Sequence, residues 1–168
     1  MKNFLVLLSV CFTFIACNDK AEVSSINPIN WNKRTITLPT TNALISGKTY
    51  LSVYSEIYGL TEHRTQNLTA TVSIRNINPN DTIYINKAEY FNTNGDPIRT
   101  YFNKTVFIKP LETIEIIIDE RDKEGGSGAN FVFDWSVSKG IHDPFFEAVM
   151  ISTSSQQGIS FTTQGIKI

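Results

Sequence analysis

The chain has 168 residues, which bounds it to one domain with room for a real core. Its 15 basic and 16 acidic residues give a formal net charge of −1. That balance excludes the basic footprint expected of a nucleic-acid-binding protein.

Lys2 supplies a short positive start, and Phe4 to Ile15 is almost wholly apolar. A bilayer span takes ~20 apolar residues, so this run reads as the core of an export signal. Phe14-Ile15-Ala16-Cys17 resembles a bacterial lipobox, in which a small residue precedes a cysteine that becomes the lipidated first residue. The competing reading is an ordinary secretory signal cleaved elsewhere. The expectation is a signal peptide over 1–16, lipidation at Cys17, and a flexible polar tether over 17–33. Cys11 leaves with the signal. The mature chain then has no thiol for a disulfide, a nucleophile or a metal site. It keeps 14 basic residues against 16 acidic ones, because Lys2 is lost with the signal and no acid is, and its net charge is −2. The expected location is the bacterial cell envelope, with a membrane as partner through the lipid.

Beyond the tether, Arg34 to Leu38 alternates and predicts a first short strand ended by Pro39. Tyr50 to Ser55 alternates again, and Glu56 to Gln66 reads as a loop. Leu68, Ala70, Val72 and Ile74 fall on one face and Thr69, Thr71, Ser73 and Arg75 on the other, the period of a half-buried strand. Asn76 to Asp81 has strong turn chemistry. Thr82 to Phe91 predicts a long strand whose apolar phase shifts between Ile85 and Ala88, the mark of a bulge. Asn94-Gly95 predicts a type I′ hairpin turn. Further strands are expected at Ile98 to Phe102, Val106 to Ile108, Ile114 to Ile118, Phe131 to Val137, Phe145 to Thr153 and Gly158 to Thr162. Many short strands with turn signals between them, and no amphipathic helix, predict an all-β, antiparallel, immunoglobulin-like sandwich over 34–168. A small β-barrel is the alternative.

Several phrases carry a family resemblance in their order and spacing: Asn67-Leu68-Thr69-Ala70-Thr71, Ser73-Ile74-Arg75-Asn76, Gly125 to Phe131, Glu147-Ala148-Val149-Met150-Ile151, and Gln157-Gly158-Ile159-Ser160-Phe161. Together they resemble the bacterial family catalogued as domain of unknown function 3124, across roughly residues 46–168. The resemblance implies a small exported protein, often a lipoprotein. It implies no activity, substrate or catalytic residue.

The stretch from Asp119 to Trp135 joins an acidic strand end, a glycine-rich loop and an apolar strand. Asp119, Glu120, Asp122 and Glu124 are candidate oxygen ligands for Ca²⁺. Arg121 and Lys123 sit where an EF-hand needs Asp or Asn, which favours a solvated strand end. Gly125, Gly126, Ser127, Gly128 and Asn130 form a candidate ligand loop, where backbone groups could face a partner. No Gly-Lys-Ser/Thr follows, so a phosphate cradle is not indicated. Asp134 and Glu147 are charges on apolar strands and could form a hydrolytic pair, while Arg75 could neutralise one of them. His63 and His142 are too few for a metal site, and Ser127 and Ser160 lack a nucleophile elbow. Among the aromatics, Trp31, Tyr54 and Tyr58 lie outside the strongest strands and are the best candidates for exposure. The favoured function is a non-catalytic binding module for a protein or glycan partner, with no cofactor. The alternative is an envelope hydrolase acting on glycans through paired carboxylates.

Overall fold

The computed structural model describes residues 29–40, 43–153 and 158–168. The expected signal peptide, Cys17 and the tether up to residue 28 lie outside the described residues.

Two antiparallel sheets carry the fold. In the first, β1 (Leu44–Ser52), β9 (Asn130–Ser138) and β5 (Ile83–Phe91) form the centre. β12 (Ile166–Lys167) closes one edge, and β6 (Pro97–Phe102) and β7 (Val106–Ile108) share the other. The second sheet runs β11 (Ile159–Gln164), β10 (Phe145–Ser152), β4 (Thr69–Arg75), β8 (Thr113–Ile118). A small hairpin of β2 (Glu56–Tyr58) and β3 (Thr65–Asn67) stands apart, inside the segment expected to be plain loop. The chain passes from the second sheet to the first at Gly165, whose N–H bonds to the Phe146 carbonyl at 2.9 Å.

The alternation read from the sequence sets which faces meet. Phe131, Phe133, Trp135 and Val137 are buried from β9, and Ala70, Val72 and Ile74 from β4. Phe133 stacks on Phe146 of the facing sheet at 4.5 Å, so one shared core fills the space between the sheets. The architecture is an open β-sandwich, not a closed barrel. The expected bulge is present: pairing of β5 with β9 slips between Ile85 and Lys87. That slip returns Ala88 and Tyr90 to the core after Ile83 and Ile85.

Two local expectations are corrected. Arg34 to Leu38 is not a strand. Trp31–Arg34 forms a short helix, α1, capped by the Asn30 side chain, which accepts from the Lys33 N–H at 3.3 Å. Thr35 then makes a lone bridge to Val106. Side-chain pairing then places the helix: Arg34 reaches Glu112 with both terminal guanidinium nitrogens, at 2.6 and 3.0 Å, and this docks α1 across the outer edge of β7. The edge is thereby covered without a strand. The Asn94-Gly95 turn also differs from type I′, because Gly95 alone has positive φ, at 85°. The Asn92 side-chain oxygen accepts from the N–H groups of Asn94 and Asp96, both at 2.9 Å. This side-chain bond fixes a three-residue loop with Gly95 in the left-handed position.

Candidate binding groove and acidic corner

The acidic and glycine-rich stretch folds into a packed joint at one end of the sandwich. After β8, Asp119 accepts two bonds from the Arg121 side chain and one from its backbone N–H. These bonds, the side-chain ones first, hold the Asp119 carboxyl below the usual range. Asp122 turns inward, where its side chain is 1% exposed, and meets Arg99 of β6 at 3.0 Å. Arg99 also reaches Glu124 at 3.0 Å and donates to the Tyr101 hydroxyl at 3.1 Å. Burial works against the Arg99 charge, but its bonds to Tyr101 and Asp122 outweigh it and raise its pKa. Glu120 stands beside Asp119 in the same turn. Among the described residues, no three His, Cys, Asp or Glu side chains gather where one cation could bind.

The glycines serve close approach. A Cβ on Gly125 would stand 2.0 Å from the Tyr90 hydroxyl and 2.6 Å from Ser55 Oγ. Those two hydroxyls share a buried hydrogen bond of 2.8 Å. Burial pushes the Tyr90 phenol well above its usual pKa, with the Ser55 bond acting in the opposite direction. Gly126 takes φ +71° at the start of a 3-10 turn, Gly126–Gly128, that also holds Ser127. The Gly125 carbonyl accepts from Thr93 N–H and Oγ1, both at 3.0 Å, and the Gly126 carbonyl from the Ser55 N–H at 3.1 Å. Thr93 Oγ1 in turn accepts from the Gly128 N–H at 2.9 Å. Asn130 opens β9, paired to Ser52 and Phe91. These backbone groups are thus engaged inside the protein, binding the β5–β6 hairpin to the exit of β1.

The remaining sequence candidates do not converge. Asp134 alternates with buried Phe133 and Trp135 on the first sheet, and Glu147 with buried Phe146 and Ala148 on the second. Since Phe133 and Phe146 face each other, the two carboxylates lie on opposite outer faces. Asp134 pairs with Lys48 at 3.0 Å, and Glu147 with Arg75 at 3.5 Å. His63 lies between β2 and β3, and His142 lies in the β9–β10 connection. Tyr58 is 59% exposed, whereas Tyr54 packs edge-on against Phe161.

Trp31 finds a different setting. Its ring packs on Phe102 at 4.5 Å, tilted by 40°, and helps wall a surface groove of about 620 Å³. One side of the groove is Ile29 to Asn32 and Thr35, and the other is Tyr101 to Lys104. Tyr101 also packs on Phe131 and bonds Arg99, so it joins the groove wall to the acidic corner. Among the described residues, no carboxylate or imidazole lines the groove. Of its walls, the sequence singled out Trp31. Asn30, Asn32, Asn103 and Lys104 gave no signal, because the two sides are some seventy positions apart in the chain.

No curated protein and no solved structure matches this chain. A family model does match, over residues 46–168, from the middle of β1 to the C-terminus. It takes in the Tyr101 to Lys104 side of the groove and leaves α1 outside. The chain therefore belongs to the family described as a protein of unknown function, DUF3124.

Proposed function

We propose that this protein is a lipid-anchored component of the bacterial cell envelope and works as a non-catalytic binding module. The observation that carries the reading is the groove between α1 and the end of β6: aromatic and carboxamide side chains and one lysine line it, and among the described residues no carboxylate or imidazole does. A volume of about 620 Å³ falls within the ~300–1,000 Å³ of small-molecule sites. Catalysis by general acid and base needs a titratable pair at one place. Asp134 and Glu147, the pair that would serve a glycan hydrolase, occupy opposite faces. The anchor rests on the sequence around Cys17.

The test has two arms. In a bacterial host, the full chain should take up alkyne-palmitate and sediment with membranes, and Cys17→Ser should lose both properties. A Cys17→Ser protein that still carries label would overturn the anchor. Purified protein should bind envelope material without turning it over. Hydrolysis abolished by Glu147→Gln or Asp134→Asn would overturn the non-catalytic reading.

A further inference from the structure

The lining of the groove is more specific than a general docking surface. Trp31 and Tyr101 offer partly exposed aromatic rings. Asn32 and Asn103 are exposed beside them, each with a carboxamide that can donate and accept, and Lys104 is the one lining cation among the described residues. The Trp31 indole N–H is buried and has no acceptor among the described residues.

We infer that this groove binds a saccharide bearing acetamido groups, and binds it without cleavage. The inference rests on the binding-module reading above and names its ligand class. A sugar ring has a C–H face, which an aromatic ring covers well, and a rim of hydroxyls, which planar amides satisfy. An acetamido group adds an N–H and a C=O that match the carboxamides of Asn32 and Asn103. Hydrolysis of a glycosidic bond takes two carboxyl groups, and among the described residues none lines this groove. A nucleotide would call for more positive charge than Lys104 supplies. An extended peptide added as a strand would not find an open edge at β7, which α1 and the Thr35–Val106 bridge cover, and would have to pair with β6.

The chain's two tryptophans give a site-resolved test. The full chain, in detergent and labelled with 5-fluorotryptophan, should show two ¹⁹F resonances, of which Trp31→Phe removes one and assigns it. Chitotriose should shift the Trp31 resonance saturably. The Trp135 resonance should stay in place, because that ring is buried and its N–H bonds Thr49 Oγ1 at 2.9 Å. Asn103→Ala, at an exposed position, should weaken the apparent affinity by roughly 5–10-fold. A Trp31 resonance unmoved at millimolar chitotriose would overturn the proposal, as would an equal shift from maltotriose or an unchanged affinity in Asn103→Ala. A photo-crosslinker at position 103 separates the two levels. A protein adduct in cells, with a silent ¹⁹F titration, would overturn the saccharide and leave the module reading standing.

Discussion

Arg99 holds Asp122 at 3.0 Å, and the Asp122 side chain is 1% exposed while that of Arg99 is 29% exposed. The acid at the centre of the acidic stretch is thus a buried partner of an arginine on a neighbouring strand. Removing the cation would take this countercharge away from a buried carboxylate. Arg99→Met is expected to destabilise the domain by about 3–5 kcal/mol in urea unfolding. Glu124→Gln, at the exposed end of the same cluster, should cost less than about 1 kcal/mol. Equal effects from the two changes would mean that burial does not govern this pair.

The same pairing predicts how the protein answers Ca²⁺. Asp119 is held by Arg121, and Asp122 and Glu124 by Arg99. Melting temperatures with CaCl₂ and with EDTA should coincide. A rise with Ca²⁺ that EDTA reverses would mean the carboxylates release their arginines to bind metal.

Gly125 and Gly126 fail under substitution for different reasons. Gly125→Ala drives a methyl into the Tyr90–Ser55 hydrogen bond and should cost about 2–3 kcal/mol or more. Gly126→Val places a β-branched residue at φ +71° beside Thr93 and should cost about 1–3 kcal/mol. Wild-type-like melting of both would mean that the joint rearranges freely.

Stability should also depend on pH at both extremes. The bond from Arg34 depresses the Glu112 pKa, so this pair's contribution is present above the ordinary glutamate value of ~4.3 and is lost as pH falls through the folded value. Glu112→Gln should flatten the acid limb of a plot of urea midpoint against pH. Burial raises the Tyr90 pKa, so its contribution is complete below ~10 and is lost as pH rises beyond that. Tyr90→Phe should flatten the alkaline limb.

Asn76 offers a test far from the acidic corner. Its side-chain N–H groups reach the carbonyls of Asp81, Ile108 and Lys109 at 2.7–3.1 Å, and its oxygen accepts from the Asn78 N–H and Nδ2, both at 3.0 Å. Asn78 then exchanges bonds with the backbone of His142. Three connections between strands are pinned by two buried amides. Asn76→Ala should cost at least about 3 kcal/mol, since it leaves several buried groups unpaired. Asn80→Ala, on the exposed part of the same turn, should cost under about 0.5 kcal/mol.

The class of the fold is legible in the residue pattern alone. Period-two alternation at Leu68 to Arg75 and at Phe131 to Val137 fixes which side of each strand is apolar, and the phase slip after Ile85 marks the bulge. These features are local, because each strand's own geometry dictates them. The sequence also carried the phrases that place the chain in its family. Everything that depends on long-range pairing came from contacts between distant segments. Tertiary structure docked the Trp31–Arg34 helix against β7, where Glu112 receives Arg34. It sent Asp134 and Glu147 to opposite faces, because their strands belong to different sheets. It brought Trp31 and Asn103 to one groove. A hydrophobic pattern reports the face on which a residue lies. Which residue of a distant strand stands opposite it is set by register and by side-chain pairing, and no local period records either.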